Sequence, residues 1–219
     1  MSSLDKAKIL TGHDIIINED ITLKQPRVGE IIEFGETNFF STCYTLCSIP
    51  SDMKSVLWDA GQDWNTMKDW ELFINLSRGI TKENTSLIFG DIDFSEMNIM
   101  QNPETEELVL VSDKLIITEE IYLSFISNLR EMIGSIVKRE KAMNKATKLA
   151  LIEEDRMNRM NPRNKSTDSF LCTAIISLVN TEEFPYTYES VLDITIYQLM
   201  KSFYQIQNKK SAMALYQGS

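Results

Sequence analysis

A chain of 219 residues with 43% hydrophobic and 25% charged side chains has a globular composition, with room for one substantial core. Acidic residues outnumber basic ones 32 to 22, and the net charge of −10 works against nucleic acid or anionic lipid as a general partner. The uncharged stretch around the most apolar run, 169–181, falls short of the about 20 residues that span a bilayer; the first residues lack the apolar run of a signal peptide, and three unpatterned cysteines read as reduced thiols.

In chain order, residues 1–25 predict an N-terminal hairpin, two β-prone runs around Asn18-Glu19-Asp20. Residues 26–84 predict a helical lobe of four short helices. The first runs from Val28 to Phe34 and stops at Gly35; the second carries Phe39, Phe40, Cys43, Tyr44, Leu46 and Cys47 and ends before Pro50. Ser51 reads as the N-cap of the third, through Trp58 to Gly61, and Asn65 or Thr66 as the N-cap of the fourth, which ends at Gly79. Residues 85–117 predict a β insert with strands at Ser86–Phe89, Asp93–Met100 and Leu108–Val111. Residues 118–219 predict a helical bundle, opened by a long helix capped at Thr118.

Two seams in that bundle have the 4, 3 spacing of lengthwise helix packing: Tyr122, Ile126, Leu129, Ile133 and Ile136, and Leu192, Ile196, Leu199, Phe203 and Ile206. Between them Phe170–Val179 is apolar on every face, with Ser166, Thr167, Asp168 and Ser169 before it as caps. It reads as a central helix clamped by the two seams. A buried strand is the alternative for this run, and a seam open to a partner chain, as in a homo-oligomer, is the alternative for the bundle. The resulting fold class is α+β, mainly α: a helical bundle around a buried central helix with a small antiparallel β insert, in one compact domain.

From 138 to 165 the chain carries nine cations against four acids, which leaves −15 on the remainder. This predicts a projecting basic arm. Its readings are a solvated helix face, a protein-binding arm or a phosphate contact; no aromatic residue falls between Phe125 and Phe170, which argues against base stacking. Trp58, Trp64 and Trp70 recur every six residues, as core or as an aromatic contact patch. The candidate partner-binding residues are therefore Trp58, Trp64, Trp70, Lys138, Arg139, Arg156, Arg159 and Arg163.

No catalytic, cofactor-binding or metal-ligating set emerges. Ser51-Asp-Met-Lys54 has the spacing of a lysine-activated serine but lacks the companion motifs of that chemistry. Asp91, Asp93 and Glu96 put carboxylates close together on an expected strand, with no basic group beside them for a phosphate. His13 is the single histidine, and Cys43, Cys47 and Cys172 have no zinc-knuckle spacing.

Several runs resemble proteins of the tail modules of phages that infect Gram-positive bacteria: Val28-Gly-Glu-Ile-Ile-Glu-Phe-Gly-Glu36, Pro50-Ser-Asp-Met-Lys54, Asp69-Trp-Glu-Leu-Phe73, Ser86-Leu-Ile-Phe-Gly-Asp-Ile-Asp-Phe94, Leu151-Ile-Glu-Glu-Asp-Arg156 and Tyr188-Glu-Ser-Val-Leu-Asp193. In size and acidity the chain is similar to tail assembly chaperones. That resemblance implies a non-enzymatic protein of the host cytoplasm or the virion, without cofactor or membrane, whose partner is a tape-measure or tail-tube protein. A small regulatory phage protein that binds a host factor through 138–165 is the competing expectation.

Overall fold

The structure is a computed structural model that describes residues 3–103, 105–161 and 168–217. It is α+β and mainly α. The chain opens with helix α1 (Ser3–Leu10), which the sequence reading did not contain, followed by the expected hairpin of β1 (Ile15–Ile16) and β2 (Thr22–Leu23). The Lys24 amide donates to the Ile88 carbonyl at 2.8 Å and ties the hairpin to the body.

Helices α2 (Val28–Phe34) and α3 (Glu36–Cys47) follow as expected, with Gly35 at φ +101° as the one-residue joint between them. Pro50–Asp52 form a 3₁₀ turn before the short α4 (Lys54–Asp59). The cap there is not Ser51: the Asp52 carboxylate accepts from the Ile49 amide at 3.0 Å. Helix α5 (Asp69–Ser77) starts later than Asn65 or Thr66 would place it, because the Glu71 carboxylate accepts from the Lys68 amide at 3.0 Å.

The largest local departure lies at Ser86–Phe89, which closes helix α6 (Lys82–Phe89) rather than forming a strand. Asn84 accepts from both the amide and the hydroxyl of Thr81, and Thr85, Ile88 and Phe89 are buried at helical spacing. Asp93 likewise turns the chain by accepting from the Ser95 amide, so β3 begins only at Asn98. The insert is the antiparallel sheet β3 (Asn98–Gln101), β4 (Leu108–Val111), β5 (Ile116–Ile117), with Leu110 paired to Ile99 on one side and Ile117 on the other.

Thr118 caps α7 (Glu119–Ile133) by accepting from the Ile121 amide, as the sequence indicates. Tyr122, Ile126, Leu129 and Ile133 of the first seam are buried, while Ile136 lies beyond the helix end and is exposed. The main core is aromatic where α5, α6 and α7 meet: Phe73 packs on Tyr122 at 4.8 Å between ring centroids and on Phe125 at 5.7 Å. Helix α3 packs against α2, α5, α6 and α7, so α3 and α7 hold the central positions.

The basic segment does not project as one helix. Residues 135–143 are irregular, and α8 (Lys145–Met160) folds back against α4, where Ile152 joins Leu57, Trp64 and Leu72 in a second, smaller core. Helix α9 (Phe170–Val179) forms where expected but not at the centre. Leu171, Ala174 and Leu178 are buried, Phe170 packs edge-on against the rings of Phe40 and Phe203, and Cys172 and Ile176 face outward. Helix α10 (Ile196–Gln217) packs on both α7 and α9 through Ile196, Leu199 and Met200. Leu192 of the second seam sits in a 3₁₀ turn and is exposed.

Gly134 ends α7 at φ +66°, ψ +26°, and a Cβ there would lie 2.4 Å from Cε2 of Tyr204 on α10. Gly134→Ala is expected to destabilise the fold by about 1–3 kcal/mol in urea melts, through left-handed strain and displacement of Tyr204. Adding Tyr204→Ala should remove the displacement part, so that the two losses are less than additive. Strict additivity would show that the close approach does not matter.

Candidate functional site

Two side chains that the body leaves uncovered start the site: Ile176 of α9, 46% exposed, and Ile32 of α2, 49% exposed. They lie across an open groove of about 670 Å³, lined also by Leu171, Cys172, Ile175 and Tyr188. One interaction fixes its geometry. Glu36, in the first turn of α3, accepts from the Ser169 hydroxyl at 2.5 Å and from the Leu171 amide at 2.8 Å. Ser169 in turn accepts from the Cys172 amide at 2.9 Å. In the first turn of α9 the Leu171 amide is satisfied by a carboxylate from another element, the charge its dipole favours, and the Cys172 amide by the Ser169 cap. That tie holds the outer face of α9 alongside α2. Gly29 brings the 3₁₀ turn carrying Leu192 close on the far side of Ile32, since a Cβ there would stand 3.3 Å from the Leu192 carbonyl oxygen.

The sequence-derived candidates fall elsewhere. Trp64 and Trp70 are core residues, and the Trp70 indole donates to the Leu108 carbonyl at 2.9 Å. Only Trp58 of the three is at the surface, with the Lys148 ammonium 5.5 Å from its ring centroid. The three do not form one patch. Lys138 is exposed. Arg139 makes a bidentate pair with the buried Asp69, at 2.8 and 2.6 Å. Arg156 bridges Asp59 at 2.7 Å and Glu153 at 2.8 Å, and Arg159 donates to Asp155 at 3.0 Å and to the Asp52 carbonyl. Arg163 lies outside the described residues. Arg139, Arg156 and Arg159, and with them Lys148, which pairs with Asp63 at 2.6 Å, therefore bind the chain's own acceptors.

Asp91 and Asp93 are also engaged. Asp91 pairs with Lys82 at 2.6 Å, and Asp93 accepts from the amide and hydroxyl of Ser95 and from the Lys82 amide. Among the described residues no group of three or more His, Cys, Asp and Glu side chains is placed to hold a metal ion. Ser51 and Lys54 contact Glu140 rather than each other's side chains.

Burial pushes the Cys47 thiol up to about 12 against the opposing Arg130, and raises Cys43 well above its ordinary value. Cys172 is exposed in the groove. The groove residues Ile32, Cys172, Ile176 and Tyr188 were not candidates from sequence. The signal for Cys172 and Ile176 is the uniform apolarity of 170–179, which reads as enclosure from sequence; Ile32 and Tyr188 carry no such signal.

The stretch 163–218 matches the family described as the YomV second domain. It takes in α9 and α10, about a quarter of the chain, and supports a phage protein. No curated protein and no solved structure matches the chain. Among the described residues no helix is long and apolar enough to cross a membrane.

Two outcomes follow. Iodoacetamide at pH 8 should modify Cys172 quickly and leave Cys43 and Cys47 untouched until denaturant is added, as read by peptide mass spectrometry; modification of Cys47 in the folded chain would contradict its burial.

The second concerns acid. Lys148, 2.6 Å away, holds Asp63 below its ordinary value; burial pushes Asp155 up, but bonds from Ser55 and Arg159 outweigh it and hold Asp155 low as well. Both stabilise the docking of α8 on α4 fully above the ordinary carboxylate value of about 4, and the contribution is lost as pH falls below it. Amide protection in α8 should fall in that window before protection in α7 does, and Asp155→Asn should flatten the dependence. An unchanged acid profile in that variant would remove Asp155 from the account.

Proposed function

We propose that this chain is a phage tail-assembly chaperone or minor tail component that works by binding, without chemistry of its own, and that its partner is a helical tail protein such as the tape-measure or tail-tube protein. The observation that carries the reading is the uncovered apolar face of α9. Cys172 and Ile176 remain outward on a helix with no charged residue, beside Ile32 and Tyr188. A contiguous apolar surface of this kind on a strongly acidic chain is a protein-binding surface before it is anything else. The match to a phage-type domain over 163–218 falls on the elements that form this face, and the tail-module runs along the chain point the same way. Such a chaperone acts in the host cytoplasm, and a minor tail component is carried into the virion.

The regulatory reading through 138–165 loses support, because Arg139, Lys148, Arg156 and Arg159 are held by acceptors of the chain itself.

The test is a tagged pull-down from cells expressing the chain with its neighbouring phage genes, washed at low and at high salt, with bound chains identified by mass spectrometry. A long helical tape-measure or tail-tube protein should survive the high-salt wash. Recovery only of nucleic acid or of a host protein, lost at high salt, would overturn the reading.

A further inference from the structure

We propose that the groove between α2 and α9 is the docking site of a basic amphipathic helix from a partner protein. This rests on the binding reading above and adds the site and the chemistry of what it takes.

The groove floor is apolar, and its walls carry one sign of charge. The segment 168–193, which supplies α9 and the turn bearing Tyr188 and Leu192, contains Asp168, Glu182, Glu183, Glu189 and Asp193 and no lysine or arginine, although Glu183 points away from the groove to pair with Lys209. The opposite wall, 28–36, contains Glu30, Glu33 and Glu36 and again no cation. Arg27, just before that wall, is 3.6 Å from Asp193. Glu33, beside Ile32 in sequence, and Glu189, beside Tyr188, are exposed.

A ligand seated on Ile32, Ile176 and Tyr188 therefore lies within the screening length, about 8 Å at physiological salt, of carboxylates on both sides. An acidic or phosphate-bearing ligand is repelled there. A helix with an apolar stripe and lysine or arginine on its flanks satisfies floor and walls together. The floor is long enough for such a stripe, because Cys172 and Ile176 stand one helical turn apart on α9. An extended strand finds no partner, since the walls are helical and their backbone groups are engaged within them.

A second copy is disfavoured by a net charge of −10 per chain, although the end of α10 exposes Lys209, Lys210, Met213 and Leu215 and could be offered by one.

The probe is a labelled model peptide of about 16 residues, with leucines at helical spacing and lysines elsewhere, titrated into the full chain by fluorescence anisotropy. Its controls are the same pattern with glutamate for lysine, and a lysine peptide without leucine. The leucine–lysine peptide should bind one to one and slow alkylation of Cys172 roughly tenfold at saturation, while neither control does so. Ile176→Asp and Ile32→Asp are surface changes, checked for folding by thermal melts, and each should weaken binding at least about tenfold. Glu33→Lys with Glu189→Lys should weaken it and reduce its salt dependence.

Binding that is unaffected by Ile176→Asp, equal binding of the glutamate peptide, or unprotected Cys172 at saturation would each sink the proposal. So would a dimeric wild-type chain in which removal of residues 207–219 yields a monomer and exposes Cys172, since the groove would then belong to a second copy. The same variants separate this proposal from the functional reading. A tail protein captured as well by Ile176→Asp as by the wild type leaves the chaperone standing and refutes the groove; peptide binding without any captured tail protein does the reverse.

Discussion

The carboxylate of Asp69 is the constraint on which the arrangement of the helices depends. It sits in the first turn of α5, with its side chain 8% exposed, where an unpaired charge would cost several kcal/mol. Arg139 answers it with two bonds, and Arg130 of α7 stands 3.6 Å away while donating to the Cys47 carbonyl at 2.8 Å. Three elements are thereby referred to one point: the end of α3, the last turn of α7 and the irregular stretch after Gly134. Because Arg139 must reach Asp69, the chain leaving α7 doubles back instead of running on. It then delivers Ala142 to Asn65, with bonds at 2.8 and 3.1 Å, and α8 to α4. The next residue along α5, Trp70, opens the aromatic core, so the polar node and the core share one helix.

That node explains why the basic segment was misread. Residues 138–165 have helical composition and few apolar positions, and composition alone reports that such a helix has little to bury. It does not report that the acceptors Asp59, Asp63, Asp69 and Asp155 are waiting, three of them outside the segment and far from it in sequence. Elements whose cues are local were legible: the stop at Gly35, the Thr118 cap, the buried face of α7, the pairing of 108–111. Ser86–Phe89 failed because four β-prone letters were weighed without the Thr81–Asn84 cap before them, which starts a helix whose buried face is Thr85, Ile88 and Phe89.

The misplacement of α9 is of another kind. Apolarity on every face was taken as enclosure, and the inference from apolarity to burial fails when a surface is reserved for something outside the chain. The bundle has enough elements to cover only the side bearing Leu171, Ala174 and Leu178, through α10 and α3. Trp64 and Trp70 show the converse. Aromatic residues that look available for a partner are consumed by the two cores, Trp64 where α4, α5 and α8 meet and Trp70 where α5 and α7 meet.

An uncovered apolar groove is a liability for a protein at working concentration, since two copies could bury it against each other. Here the hazard and the recognition have one remedy. The carboxylates along both walls put like charge against like when two grooves approach, which raises the cost of self-association without touching the apolar floor. A cationic helix meets the same walls with opposite sign. Affinity then comes from Ile32, Ile176 and Tyr188, which salt does not weaken, and discrimination from the rim, which salt does. On the proposed reading, such a division lets the groove take a cationic helix while like charge keeps copies of the chain apart.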